Sequence, residues 1–157
     1  MKNIKQSDLV RFVNLTRSAR YNEELKEEFR KLGKRILKEI ADRMGLKKGE
    51  FEIRWNPGGI ACSGDHTLHT DKVYVALHDN LDTGWFYWRT CSGRKDYSGG
   101  RNRIVYWPKF TGYGLEPLAD ILKVAQAGQW KDPVSGDILC NDERAVDLAT
   151  KAQGIYY

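Results

Sequence analysis

Hydrophobic and polar positions repeat with two different periods along this chain, and the change of period divides it into three parts. Apolar residues recur every three or four positions in residues 1–46, which predicts amphipathic helices. In residues 51–107 they mostly alternate with polar ones, which predicts β-strands. The helical spacing returns in residues 115–153. The pattern therefore predicts N-terminal helices, then strands, then C-terminal helices.

The helical spacing predicts four helices, over residues 7–17, 22–45, 115–127 and 141–153. The second is the clearest, because Asn22 is a favourable N-cap and Gly45 can end the helix in the left-handed conformation. Between them, one apolar stripe contains Leu25, Phe29, Leu32, Ile36, Ile40 and Met44. Such a stripe needs a sheet or another helix to cover it.

The alternating part predicts four or five strands. Phe51, Ile53 and Trp55 share one face of the first. The buried face of a later strand is expected to hold Val73, Val75 and Leu77. Residues 60–63 and 67–70 are expected to form one irregular strand, broken near Gly64 and Asp65.

Short turns join these strands, which favours an antiparallel meander. No predicted helix separates one strand from the next, and this disfavours a parallel βαβ fold. The chain is therefore expected to form a single α+β domain over residues 1–157, with helices mainly on one face of an antiparallel sheet.

The segment from Trp85 to Trp107 is the most informative, because two aromatic strands flank a loop rich in glycine, serine and arginine. Side chains alternate between the faces of a strand. In the first strand, Trp85, Tyr87, Arg89 and Cys91 are expected to share one face, and Phe86, Trp88 and Thr90 the other. The return strand divides in the same way, with Ile104 and Tyr106 on one face and Val105 and Trp107 on the other. Since both faces are apolar, we expect one to pack on a helix and the other to be partly open.

The loop between these two strands is basic. Its cations are Arg94, Lys95, Arg101 and Arg103, and Asp96 is its one carboxylate. Guanidinium groups bind phosphate oxygens with paired hydrogen bonds, and bases stack on aromatic rings at about 1–3 kcal/mol each. One interpretation is a finger that grips a nucleic-acid backbone. The other is a solvated loop that protects a sheet edge from aggregation.

Positive charge is also concentrated near the N-terminus. Residues 1–50 contain fourteen Lys and Arg against eight Asp and Glu, whereas residues 116–157 contain four against seven. The net charge of +5 and the pI of about 9.1 favour polyanionic partners. The basic face of the second helix, which includes Lys34 and Lys38, either follows a phosphate backbone or is simply solvated.

All three histidines lie between positions 66 and 78. Together with Cys62, the residues His66 and His69 are suitable zinc ligands, but they match no standard zinc spacing. A regular strand would also point these two histidines to opposite faces. The same region offers acid–base groups for a small nuclease or phosphoester hydrolase, namely Asp65, His66, His69 and His78.

Several functional classes find no support in the sequence. It contains no phosphate-loop, dinucleotide-binding, zinc-protease or calcium-loop motif, so no cofactor or resident metal is expected. Three cysteines are too few for a disulfide framework, which predicts a reducing, cytoplasmic location. No segment is apolar for long enough to predict a membrane span.

The resulting hypothesis is a non-enzymatic binding protein, a small regulator or inhibitor that engages nucleic acid or a protein that handles nucleic acid. Its contact residues are expected to be Trp88, Arg89, Arg94, Lys95, Tyr97, Arg101 and Arg103, supported by Lys34 and Lys38. Two alternatives stay open. One is the histidine-based hydrolase, and the other is a protein–protein interaction module, because Trp, Tyr and Arg are also favoured at protein interfaces. Alanine at Arg94, Lys95, Arg101 and Arg103 is expected to abolish binding with little change in melting temperature.

Overall fold

The computed structural model describes residues 4–77, 84–139 and 142–154. Within these ranges the helices are α1 (Gln6–Ser18), α2 (Glu23–Arg43), α3 (Trp107–Tyr113), α4 (Leu115–Ala127) and α5 (Asp142–Gln153). The strands are β1 (Glu52–Asn56), β2 (Asp65–His69), β3 (Val73–Leu77), β4 (Trp85–Thr90), β5 (Arg103–Tyr106), β6 (Trp130–Lys131) and β7 (Ile138–Leu139). β1 to β5 form one antiparallel sheet in chain order, and β6 and β7 pair separately. The predicted α+β fold and the antiparallel meander are confirmed.

One face of the five-stranded sheet, the inner face, is covered by helices and forms the core. Phe86 of β4 is buried there against Trp107 of α3, with ring centroids 4.9 Å apart. Phe12 of α1 stacks on Phe29 of α2 at 4.7 Å in the same core. Burying a side chain of this size stabilises the fold by about 1.5–3 kcal/mol. The predicted inward residues of β1 and β3 also pack here, namely Phe51, Ile53, Trp55, Val73, Val75 and Leu77.

Helix α2 lies on β1 and β2. The Asn22 side chain caps it by accepting a hydrogen bond from the Leu25 backbone N–H at 3.0 Å, as the sequence predicts. Its approach to β2 depends on Gly33. A Cβ atom at this position would lie 2.2 Å from Nε2 of His66, so only glycine permits this contact without a shift of the neighbouring ring.

The segment after β5 lies outside the four helices that the sequence predicts. It forms the short helix α3, in which Pro108 occupies the first turn. A missing N–H is tolerated there, for the same reason that Pro117 is tolerated in α4. Trp107 and Phe110 are three positions apart and both are buried in the core, which explains why a helix forms.

The predicted strand over residues 60–63 is also wrong. Residues 57–64 contain no strand, and Ile60 is 71% exposed. Pro57 and several glycines interrupt the alternation, and Gly64 adopts a positive φ of 112° with the Trp55 ring packed against it. Consequently β2 begins only at Asp65, and Cys62 is exposed in a turn instead of buried in a strand.

Candidate functional site

The opposite face of the sheet, the outer face, has no helix on it within the part of the chain that the structure describes. The strand register places on it Arg54 of β1, Thr67 and His69 of β2, Tyr74 and Ala76 of β3, Trp85, Tyr87 and Arg89 of β4, and Ile104 and Tyr106 of β5. The predicted alternation of β4 and β5 between a buried and a partly open face is therefore confirmed, except that Trp107 begins α3 and does not belong to the strand.

Aromatic rings form a continuous run across the outer face. Tyr74 lies at its centre, with ring centroids 4.9 Å from Tyr97, 5.0 Å from His69 and 6.0 Å from Tyr87. Trp85 continues the run at 6.4 Å from Tyr87. These spacings and tilted or edge-on orientations are those that aromatic pairs prefer.

Tyr106 occupies the next position towards the edge of the sheet, because it is paired with Trp85 in the register of β4 and β5. We call His69, Tyr74, Trp85, Tyr87, Tyr97 and Tyr106 the aromatic strip. Its β5 end is open to solvent, since Tyr106 is 53% exposed and the adjacent Ile104 is 44% exposed. At the β2 end His69 is buried, so the accessible rings lie towards β4 and β5.

The hairpin tip, residues 91–102, does not project into solvent as a free finger. It folds back over the β2–β3 end of the outer face, where Tyr97 packs on Tyr74. The Tyr97 hydroxyl is 3.4 Å from Nδ1 of His69, which places the tip directly above β2. A turn closed by the Asp96 N–H on the Gly93 carbonyl shapes the tip. The tip therefore covers one end of the aromatic strip.

Two cations of the tip are paired with carboxylates of other elements. Nε of Arg94 lies 3.3 Å from the carboxylate of Asp71, and its Nη2 donates to the carbonyl of Gly49 at 3.0 Å. Nζ of Lys95 lies 3.5 Å from the carboxylate of Glu52. These contacts fasten the tip to the outer face.

The other cations of the hairpin are paired as well. Arg103 is 11% exposed and lies between Glu143 and Asp147 of α5, with Nη1 at 2.6 Å from Asp147. Arg101 reaches the same Asp147 carboxylate at 2.7 Å but stays 66% exposed. Arg89 donates to the Gly100 carbonyl at 2.6 Å. Because Arg103 has this structural role, alanine at the four basic positions is expected to lower the melting temperature instead of leaving it unchanged.

Four of the predicted contact residues, Trp88, Arg103, Lys34 and Lys38, lie away from the outer face. Trp88 is 3% exposed in the core, so its ring is inaccessible, and Arg103 lies 5.5 Å from that ring. Lys34 and Lys38 belong to α2, on the opposite side of the sheet. Lys38 is also paired with Asp42 at 2.6 Å. The predicted residues therefore do not form one continuous surface.

His66 is a core residue. Its ring lies 4.7 Å from Trp55 and 4.9 Å from Phe29, and its Nε2–H donates to the carbonyl of Arg30 at 3.2 Å. Burial lowers its pKa to about 4, so the imidazole is neutral near pH 7. A neutral histidine enclosed by aromatic rings has no access to a substrate.

His69 faces the other way, as the spacing along the strand predicts. Its Nε2 is 2.9 Å from the hydroxyl of Thr67, and burial beneath the hairpin tip, with a smaller contribution from Arg54, lowers its pKa. Asp65 begins β2, Cys62 lies in the preceding turn, and His78 lies outside the described residues. The structure does not bring His66 and His69 together.

No group of three or more His, Cys, Asp or Glu side chains that could hold a metal ion occurs in the described ranges. The zinc set of Cys62, His66 and His69 does not converge there, because the strand separates its two histidines. The hydrolase alternative also needs His66 and His69 in one site, and they lie on opposite faces of β2. Its third histidine, His78, lies outside the described residues.

Alternation along β4 predicts that Trp85 and Tyr87 share a face, but neither residue is among the predicted contact residues. Arg89 could have indicated that this face is open, because it lies two residues after Tyr87 and therefore on the same face of β4. A charged side chain is rarely buried unpaired, so a face that carries an arginine is expected to be exposed to solvent. Tyr74 alternates with the inward residues of β3, which gives the same information for the neighbouring strand.

Comparisons with protein-family models, with curated proteins and with solved structures find no match for this chain. Among residues 4–77, 84–139 and 142–154, no helix has both the length and the apolar character that a membrane span requires.

Proposed function

We propose that this chain is a binding protein without enzymatic activity, and that its ligand is single-stranded nucleic acid held on the aromatic strip. The observation that carries this proposal is a run of aromatic rings on a sheet face that no helix of the described residues covers. Sheets with exposed aromatic side chains are a recurring platform for unpaired bases, because every base has a face that can stack.

The position of the rings favours single strands over duplexes. In a duplex the faces of the bases are stacked on one another, so a flat row of rings cannot reach them. Trp85, Tyr87 and Tyr106 lie on two adjacent strands, which are about 4.8 Å apart. This area suits two or three unstacked bases.

The charge around the strip supports the same ligand. Arg54 and Arg89 lie on the outer face beside the rings, and the whole chain has a net charge of +5. Arg54 is 48% exposed and, among the described residues, is paired with the nearby carboxylate of Glu52 alone, at 2.9 Å. Such an exposed pair is worth little, so the guanidinium can exchange its partner for a phosphate.

The test is a fluorescence anisotropy titration with a labelled 12-nucleotide strand, as DNA and as RNA, and with the matching duplex. Wild type is expected to prefer the single strand. Tyr87→Ala is expected to weaken binding by about 5- to 150-fold, which corresponds to the loss of one stacked base. Tyr113→Ala is the matched control, because Tyr113 is 58% exposed on α3, away from the outer face.

Three results would contradict the proposal. They are equal binding of single strand and duplex, unchanged affinity in the Tyr87→Ala variant, and no binding of any oligonucleotide. In the last case the outer face is better explained as a protein-binding surface, because aromatic residues also dominate protein interfaces.

A further inference from the structure

A cleft lies beside the aromatic strip, between β5 and α5. Its volume is about 600 Å³, and it is lined by Arg101, Asn102, Arg103, Ile104, Asp147, Leu148, Thr150 and Lys151. Sequence reasoning does not find this cleft, because its two walls are more than forty residues apart in the chain.

The cleft is continuous with the outer face. Ile104 belongs to both, since it lines the cleft and is paired with Tyr87 in the sheet. Asn102, at the mouth of the cleft, lies 3.4 Å from the guanidinium of Arg89, which is an outer-face residue. β5 is the edge strand of the sheet, so a ligand lying across the strip reaches the cleft by crossing this edge.

Positive charge prevails in the cleft. Among the described residues its lining has three cations, Arg101, Arg103 and Lys151, against the one carboxylate of Asp147. Glu143 lies behind them and is paired with Arg103. The lining is therefore suited to an anion.

Two of the three cations are available to a ligand. Arg101 is 66% exposed and binds Asp147 mainly through Nη2, while its Nε is 3.7 Å from Glu143. Lys151 is exposed and has no ion-pair partner among the described residues. Arg103 differs, because at 11% exposure it is held between both carboxylates.

We infer that this cleft is the phosphate subsite for a single strand whose bases stack on the aromatic strip, an inference that rests on the proposed function. Arg101 and Lys151 contact one or two phosphodiester groups. Arg103 is a positioning residue that holds Asp147 and the cleft wall in place. Exchange of the exposed Arg101–Asp147 pair for a phosphate costs little, because an arginine fork binds phosphate oxygens with charge-assisted hydrogen bonds.

The experiment measures the affinity for the labelled 12-nucleotide strand between 50 and 200 mM salt, in Arg101→Gln, Lys151→Gln and wild type. Each phosphate contact adds about 0.7 to the slope of log affinity against log salt. Either substitution is therefore expected to reduce the slope by about 0.7 and to weaken binding at the lowest salt. Lys123→Gln is the matched control, because it removes an exposed charge from α4.

Tyr87→Ala separates the two proposals, since it is expected to weaken binding without changing the slope. If Tyr87→Ala weakens binding but both cleft variants keep the wild-type slope, the subsite is refuted and the proposed function stands. If wild type binds no oligonucleotide, both are refuted. A slope that falls equally in Lys123→Gln would show a general charge effect and also overturn the subsite.

Discussion

His66 occupies a position that an apolar side chain would ordinarily fill. Its ring packs among Phe12, Phe29 and Trp55, and its Nδ1 is buried without a hydrogen-bond partner among the described residues. Such an environment disfavours the charged imidazolium. The residue that the sequence suggested for catalysis is thus a structural element of the core.

Acid is expected to destabilise the fold through His66. Its pKa is about 4 in the folded protein and about 6.5 when unfolded, so the unfolded chain binds the proton more readily. The contribution of neutral His66 to the free energy of unfolding is fully present above pH 6.5. It is lost as the pH falls towards 4, and the total loss is about 3 kcal/mol. Urea unfolding at several pH values measures it.

His66→Gln provides the comparison for this titration. Because glutamine does not titrate, the variant is expected to lose less stability than wild type between pH 6.5 and 4, whatever its stability at pH 7. His69→Gln serves as a second variant, in which the His66 contribution is retained. If the free energy of unfolding depends on pH in the same way in wild type and in His66→Gln, then burial does not keep His66 neutral in the folded protein.

Gly33 is expected to be intolerant of even one methyl group. Alanine at this position would place Cβ 2.2 Å from the His66 ring, and the resulting displacement is expected to cost about 1–3 kcal/mol despite the better helix propensity of alanine. Gly112→Ala is the control, since Gly112 lies in α3 with nothing within 4 Å of the added atom. Chemical denaturation measures the free energy of unfolding of both variants. Equal losses in Gly33→Ala and Gly112→Ala would contradict the close contact between Gly33 and His66.

At the residue scale, the sequence predicts which histidines share a face but not which face is buried. The spacing of His66 and His69 correctly placed them on opposite sides of β2. The burial of His66 depends on Gly33, which is more than thirty positions away and has no side chain to reveal a contact. The exposure of Cys62 was missed because the turn residues before β2 were assigned to a strand.

The hairpin of β4 and β5 is the element that most clearly agrees with the prediction, and its tip is where the prediction was incomplete. Local alternation specifies the pairing of the two strands. The carboxylates that pair with Arg94, Lys95 and Arg101 of the tip come from distant segments, Glu52, Asp71, Glu143 and Asp147. No local sequence pattern indicates these carboxylates, so the sequence predicted a basic loop whose cations are free to bind phosphate.

Arg103 is expected to contribute more to stability than Lys95. Arg103→Ala removes a nearly buried guanidinium from two carboxylates, and the loss is expected to be about 1–3 kcal/mol because those carboxylates stay partly solvated. Lys95→Ala removes one exposed contact and is expected to leave the free energy of unfolding unchanged within the error of the measurement. Urea unfolding of both variants measures the difference, and a larger effect of Lys95→Ala would contradict the arrangement of the tip.

On the scale of the whole molecule, the sheet separates two different surfaces. Basic side chains of α2 lie on the helical side, and the aromatic strip lies on the other. The predicted binding surface combined the basic side chains of α2 with aromatic residues of the hairpin. The sequence shows how many charged and aromatic residues there are, but not which side of the sheet each of them occupies. The proposed ligand contacts only the outer face and the cleft at its β5 edge.

The most direct test of this account is a map of the bound surface by NMR, using the indole N–H signals of the five tryptophans and a 12-nucleotide single strand. The Trp85 signal is expected to shift strongly, because its ring belongs to the aromatic strip. Trp88 and Trp107 are internal controls, since both are buried on the inner face. Binding that leaves Trp85 unchanged while it shifts backbone signals of α2 would contradict the account.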